Sequence, residues 1–371
     1  MNKIYVKYDN QIIGTLALTK EKKVAFQYSD EWISTGFSIN PFSLPLSKKV
    51  FIPSKNHFNG LFGVFADSLP DSWGNLLLDR VLLKHGIKRD EITILDRLSY
   101  IGSNGMGLLS YEPFKKLDLD INHLTFDQIN EECKNILQSK ETYNLDELYR
   151  LGGSSGGARP KVLINHEDTP WIVKFSNTVD NEKSGLIEYK YFECAKKCGI
   201  NVPKTKLFPS NVNDGYFGIE RFDVIKGKRI HMISVAALLE VDFRSPCLDY
   251  IDLIKLAKIM TNDRDAYEMY RRMCFNVFSH NLDDHAKNFS FLYNPMKKYW
   301  ELSPAYDLTY SNTYFGEQTT SVNGKGKEIS DEDLLQVGII NHLEKNKCIS
   351  IINEVKICVE NMLGDIIKSY K

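Results

Sequence analysis

The sequence predicts an α+β fold of two lobes with an extra N-terminal subdomain, and three observations carry that prediction. With 371 residues the chain is too long for one small core, so two or three domains or lobes are expected. Short apolar runs of β character mark the first part and the stretch from Leu151 to Phe222, where a helical segment lies among them. Beyond Asp223 the pattern is mainly helical, interrupted by a polar motif between His280 and Asn288. The expected division is 1–115 for the subdomain, 116–222 for connector helices and a first lobe with a glycine-rich loop, and 223–371 for a mainly helical second lobe.

Composition narrows the class. The net charge is −1 and the isoelectric point near 6.7, so no global field draws the chain to nucleic acid or to an anionic membrane. DNA contact would need a local basic patch or a DNA-binding partner. There is no basic-then-apolar leader and no apolar run of about 18 residues, which makes the cytoplasm the expected location and excludes a membrane span. The cysteines Cys133, Cys194, Cys198, Cys247, Cys274, Cys348 and Cys358 are scattered without a Cys-x-x-Cys pair. Cys194 and Cys198 sit one helical turn apart, but two ligands make no metal site, so they read as reduced packing residues.

The elements follow in order. Lys3 to Tyr8 and Ile12 to Leu18, parted by Asp9-Asn10-Gln11, read as a hairpin. Ser72 to His85 is apolar at helical spacing through Trp73, Leu76, Leu77 and Val81, and Gly86 stops it. The glycines of Ile101 to Gly107 read as a turn between core elements, because no helix pattern follows them as a phosphate loop requires. Leu117 to Tyr149 is helical in pattern and polar, suited to a connector. After it come a glycine loop, two β-like runs, a helix from about Lys183 to Lys197, and β-like runs at Thr205 to Phe208 and Tyr216 to Phe222. Phe289 to Tyr293, a turn at Asn294-Pro295 and Tyr299 to Leu302 read as a second hairpin.

The chemistry lies in the polar motif. Asp283 precedes Asn288 by five positions, and the second hairpin returns Asp307 beside Asn288. Phosphoryl transfer asks mainly for positioning and charge neutralisation: a base to meet the incoming hydroxyl, oxygen ligands for Mg²⁺, and a lysine for the phosphates of ATP. Asp283 suits the base, and Asn288 and Asp307 suit the metal. Upstream, Gly152, Gly153, Ser154, Ser155, Gly156 and Gly157 lead into Ala158-Arg159-Pro160-Lys161, a loop whose backbone N–H groups can approach phosphates closely. It is not a Walker A, since Ala158-Arg159 stands where Lys-Ser/Thr is required. Lys174 lies among apolar strand residues, where burial demands a partner, and Glu188 in the next helix is the candidate. Glu220, Arg221 and Phe222 occupy the place where two kinase lobes join.

Each piece has a bland alternative. Asp-x-x-x-x-Asn can be a polar helix end, Lys174 an exposed edge lysine, and His280, Asp283 and His285 a metal cluster. What decides is the order of glycine loop, strand lysine, helix glutamate, hinge, Asp-x-x-x-x-Asn and Asp, which is that of a kinase.

These residues resemble the HipA family of serine/threonine kinases, the toxins of bacterial HipBA toxin–antitoxin pairs. The match lies in Gly156 to Lys161, Asp283-Asp284-His285-Ala286-Lys287-Asn288-Phe289-Ser290, Ser303-Pro304-Ala305-Tyr306-Asp307-Leu308, and Leu61 to Asp71 in the N-terminal region. The resemblance implies a two-lobed kinase-like fold, with Asp283 as catalytic base, Asn288 and Asp307 as Mg²⁺ ligands and Lys174 as the ATP lysine. It sets the glycine loop with Ser155, Lys161, Glu188, Glu220, Phe222, His285 and Lys287 around ATP. It further implies autophosphorylation at Ser154 or Ser155 that ejects the loop, and a protein substrate in translation such as an aminoacyl-tRNA synthetase. A HipB-like helix-turn-helix antitoxin would be the partner, with DNA reached only through it. Two other readings stand beside this one: a small-molecule phosphotransferase, suited by Asp283, His285 and Asn288, and a catalytically silent co-repressor acting with an antitoxin.

Overall fold

The computed structural model describes residues 1–154, 156–177, 183–245, 247–313 and 315–370. The N-terminal part is built from β1 (Lys3–Tyr8), β2 (Gln11–Leu18), β3 (Val24–Tyr28), α1 (Asp30–Thr35), α2 (Gly63–Ala66), α3 (Ser72–Lys84), α4 (Ile94–Ile101) and β4 (Ser110–Glu112). The strands pair antiparallel in the order β3-β2-β1-β4. Ile4 and Val6, and Val24 and Phe26, alternate inward and are fully buried, as the two-residue period of a half-buried sheet requires. The opening hairpin is as expected, and so is α3, whose buried face includes Trp73, Leu77 and Val81.

The connector departs from its expectation. The helical pattern from Leu117 to Tyr149 resolves into two helices, α5 (Phe126–Leu137) and α6 (Leu145–Gly152). Residues 117–124 are not helical. The reason is local: Thr125 starts α5 with a capping box to Gln128. The Asp and Asn residues before it compete with the helix for backbone partners.

The first lobe is a four-stranded antiparallel sheet of order β5-β6-β8-β7. It comprises β5 (Lys161–His166), β6 (Thr169–Lys174), β7 (Thr205–Phe208) and β8 (Tyr216–Glu220), with α7 (Ser184–Lys197) packed on β7 and β8. After it come β9 (Val224–Ile225), β10 (Lys228–Arg229), β11 (His231–Ser234), α8 (Val235–Leu239), α9 (Tyr250–Met260), α10 (Asp263–Phe278), β12 (Ser290–Asn294), β13 (Tyr299–Leu302), α11 (Asp331–Ile340) and α12 (Lys345–Tyr370). The expected second hairpin, β12–β13, joins β11 in a three-stranded sheet. The architecture is the two-lobed, kinase-like α+β fold with an N-terminal subdomain. No helix among the described residues is long and apolar enough to cross a membrane.

Buried polar contacts fasten the N-terminal part to the second lobe. Ser234 donates to Asp67 through its N–H at 2.7 Å and its hydroxyl at 2.9 Å, and the Asn40 amide donates to the Ala237 carbonyl at 3.0 Å. The turn after α4 docks the same way: Gly107 N–H donates to the fully buried Asp223 at 2.7 Å, and Arg229 caps the carbonyls of Gly105 and Gly107. Its glycines serve that contact rather than a phosphate.

Where α2 meets α8 the backbones nearly touch, since a Cβ on Gly63 would stand 2.4 Å from the Ala237 Cα. Gly63→Ala is therefore expected to force the helices apart and cost about 1–3 kcal/mol. The midpoint of chemical unfolding reads this out, and an unchanged midpoint would show that the contact has slack.

Candidate active site

The register of β5 with β6 sets Lys161 directly opposite Lys174. Both side chains turn into the protein, where two like charges need acids. Lys174 finds two, donating to Glu188 Oε1 of α7 at 2.5 Å and to Asp307 Oδ1. Glu188 is buried, so the pair is largely removed from water, while the Asp307 side chain is 37% exposed. Burial alone would push the Lys174 ammonium down, but Asp307 and Glu188 outweigh it and hold it up at about 12. Burial likewise acts to raise the Asp307 carboxyl, and Lys174 and Lys161 reverse that and hold it well below the usual carboxylate range. Among the described residues Lys161 has no carboxylate of its own, and it donates to the Gly156 carbonyl at 2.5 Å. Burial pushes it down to about 8, with Asp307 and Lys174 pulling in opposite directions.

Asp307 reaches this place because the loop before it is fixed from three sides. The buried Arg272 guanidinium donates to the Ser303 carbonyl at 2.7 Å, Ala305 N–H donates to the Asn201 carbonyl at 2.8 Å, and the Tyr306 hydroxyl donates to the Lys287 carbonyl at 2.7 Å. Asp307 itself sits at a φ of 53°, in the left-handed region that costs a non-glycine residue about 1–3 kcal/mol. The surrounding bonds hold it there.

The polar motif is not a helix end. α10 stops at Phe278, and Ala286–Asn288 forms a separate 3₁₀ turn. Within it, the Asn288 amide donates to the Asp283 carbonyl at 2.7 Å, closing the loop across the five-residue spacing seen in the sequence. Asn288 and Asp307 line one cavity. Asp307 meets Lys174 through Oδ1 only, so a carboxylate oxygen and an amide oxygen are on hand there, the hard donors that Mg²⁺ takes. The two neighbouring acids separate by environment. Asp283 is 60% exposed, with His285 Nε2 at 3.8 Å from its carboxylate. Asp284 is buried and accepts from the Tyr250 hydroxyl at 2.7 Å and Thr320 N–H at 3.0 Å, with burial pushing its carboxyl up to about 7. Of the two, only Asp283 is open to solvent.

Asp71, the N-cap of α3, was not singled out as a site residue by sequence. It accepts from Gly157 N–H at 2.7 Å and from Lys287 Nζ at 2.6 and 2.8 Å. One carboxylate from the N-terminal part thus ties the glycine loop to the polar motif. Its signal, an Asp after Leu-Pro ahead of a helix, reads in sequence as a cap and nothing more. The glycines divide. Gly152 ends α6 and Gly153 caps it, and a Cβ on either would collide with Lys161 O or the Tyr149 ring, so packing explains both. Gly157 has a φ of 86° and offers its N–H to Asp71. Ser154 is half-buried beside them, and Ser155 lies outside the described residues.

Glu220 ends β8 and pairs with Lys204 at 3.4 Å, and Phe222 packs on the Tyr306 ring with centroids 5.5 Å apart. Both line a groove with Pro203, Arg221 and Ile225 at the junction of the lobes. The metal cluster of His280, Asp283 and His285 does not assemble. His280 stacks on Tyr310, and among the described residues the grouping close enough for shared ligation is Cys194, Cys198 and Cys358.

Comparison with known proteins agrees with this fold. The family model for the HipA N-terminal domain matches residues 4–112, and that for the HipA-like C-terminal domain matches residues 153–363. The protein Y4dM of Sinorhizobium fredii, whose name calls it a candidate kinase, is 30% identical over 169 residues, 41% of this chain. That match spans 40% of the curated relative's length. Among solved structures, the toxin–antitoxin protein HipA of Shewanella oneidensis MR-1, in complex with HipB and operator DNA, is similar in fold with a TM-score of 0.73. That likeness covers 98% of this chain and 90% of that one at 19% identity. With one domain model matched over more than half its length and the other matched ahead of it, this chain belongs to the HipA family.

Proposed function

We propose that the chain is an ATP- and Mg²⁺-dependent serine/threonine protein kinase, the toxin of a type II toxin–antitoxin module that works in the cytoplasm. The observation that carries this reading is Lys174 clasped between Glu188 and Asp307, with Lys161 opposite it in the sheet. A purely structural ion pair has no use for a second buried lysine that raises the repulsion. A polyanion entering beside both would relieve it. Triphosphate is such a ligand, and the glycine loop and the groove at Glu220 and Phe222 lie where its phosphates and base would rest.

In the reaction, Lys174 and Lys161 neutralise phosphate oxygens, and Glu188 keeps Lys174 aimed. Asp283, exposed and held through its carbonyl by Asn288, accepts the proton of the incoming serine or threonine hydroxyl. Asn288 and Asp307 would hold Mg²⁺, which when bound supplies neutralisation of charge on the transferring group. Lys287 is fixed by Asp71 beside the phosphate path. Autophosphorylation at Ser154 or Ser155 would add roughly −2 of charge to a loop facing the phosphates of ATP, and so drive the loop away from them. A helix-turn-helix antitoxin is the expected partner, as with the Shewanella protein, and a translation component such as an aminoacyl-tRNA synthetase is the expected substrate.

Three outcomes follow. Incubated with labelled ATP and Mg²⁺, the wild type should label itself or a protein from a lysate, and Asp283→Asn should lose the label while still binding ATP. Equal labelling by both would overturn the reading, and rapid phosphorylation of an aminoglycoside instead would favour the small-molecule alternative.

Lys161 must be charged to serve phosphate, and it is charged below about 8. ATP affinity should therefore be highest below that pH and fall as pH rises through it, by up to about tenfold per pH unit. Lys161→Met should bind more weakly and lose this dependence; a parallel pH profile in the variant would dismiss the assignment.

Asp71→Ala removes the acceptor shared by the loop and Lys287, a loss of about 1.5–3 kcal/mol from charge-assisted bonds. Amide hydrogen exchange over 152–159 should quicken, and ATP affinity should drop. Unaltered exchange would show that the loop is held elsewhere.

A further inference from the structure

We propose that Cys194, Cys198 and Cys358 form a binding site for a thiophilic divalent d¹⁰ cation, of which Zn²⁺ is the physiological candidate, at the junction of α7 and α12. The site lies apart from the polar motif and the glycine loop. Cys194 lies on α7 and Cys198, one turn further, caps its C-terminus; α12 brings Cys358 against them, so that all three sulfurs stand within 4.8 Å of one another. Sulfurs bound to one zinc at about 2.3 Å lie about 3.8 Å apart. The cluster therefore needs an adjustment of about an ångström or less, within the reach of side-chain rotation.

The surroundings suit a cation of this kind. Cys194 and Cys198 are buried, while Cys358 is half-buried and opens toward solvent. Met362, one turn beyond it, sets its thioether sulfur 3.9 Å from the Cys358 sulfur, adding a fourth soft atom on the open side. No carboxylate or imidazole belongs to the group, and an all-sulfur set selects zinc, cadmium or copper(I) over magnesium or calcium. Three thiolates with a divalent ion leave one negative charge, and Arg271 lies nearby: its guanidinium donates to the Cys198 carbonyl at 2.9 Å and to the Glu354 carboxylate at 3.1 Å. A monovalent ion would leave two, which favours the divalent class. Each cysteine thiol that coordinates releases its proton to solvent, so binding consumes no other reactant and strengthens as pH rises. The bound ion would staple α7 to α12. α7 also carries Glu188, six residues before Cys194 and about 9 Å along the axis, so the staple would stiffen the helix that aims Lys174.

The experiment titrates reduced full-length protein with Cd²⁺ and then with Zn²⁺ in competition. The expected result is an ultraviolet thiolate-to-cadmium charge-transfer band that saturates at one ion per chain and is erased by Zn²⁺. Cys358→Ser, at the half-buried position, should lose the band, as should Cys198→Ser; Cys247→Ser, at an exposed cysteine elsewhere, should keep it. Zn²⁺ should raise the unfolding midpoint of the wild type and not that of Cys358→Ser. Absence of the band in folded wild type overturns the proposal whatever the variants do, and so does an undiminished band in Cys358→Ser.

Discussion

The arrangement turns on Lys174 being buried with two acids that come from distant parts of the chain. A buried ammonium without partners is costly, and removing one partner from such a pair leaves a charge uncompensated at several kcal/mol. Glu188 arrives on α7 and Asp307 on the loop after β13, so the pairing holds only when both lobes are in place. The strained backbone at Asp307, the buried Arg272 on Ser303 and the Tyr306 hydroxyl on Lys287 make sense as the means of delivering that one carboxylate. Lys161 adds tension to the same point, since cross-strand register sets it directly opposite Lys174.

Much of this was legible in the residue order. The two hairpins, α3, α7 and the first-lobe strands follow from periodicity and turn residues, because their apolar faces coincide with their local propensities. The five-residue spacing of Asp283 and Asn288 marked the motif, and in the fold the Asn288 amide on the Asp283 carbonyl closes it into a loop. The connector was misread at 117–124, where apolar residues imitate a helix and the neighbouring Asp and Asn residues oppose one. Spacing to Asn288 singled out Asp283 rather than Asp284, and in the fold the two differ in burial. Sequence could not reach Asp71 or the third cysteine: Asp71 lies 216 residues before Lys287, and Cys358 lies 164 after Cys194. Such contacts are properties of topology.

The glycines teach a narrower lesson. A run rich in glycine invites a single explanation, yet Gly152 and Gly153 are small because Lys161 and Tyr149 crowd them, and Gly157 because its backbone turns left-handed to face Asp71. Likewise the glycines at Gly105 and Gly107 seat the subdomain on Asp223 and Arg229. Composition signals close approach of backbone, and only the neighbours say to what.

Asp71 has a consequence for the molecule's divisibility. Residues 153–363 match a domain model of their own. Cut away from the first 112 residues, however, Lys287 would face the site with no counter-charge and Gly157 N–H with no acceptor. The isolated piece would carry a differently charged site rather than the same site in a shorter chain. Any lineage that inherits the C-terminal half without the N-terminal half must supply an acid at that spot from somewhere else.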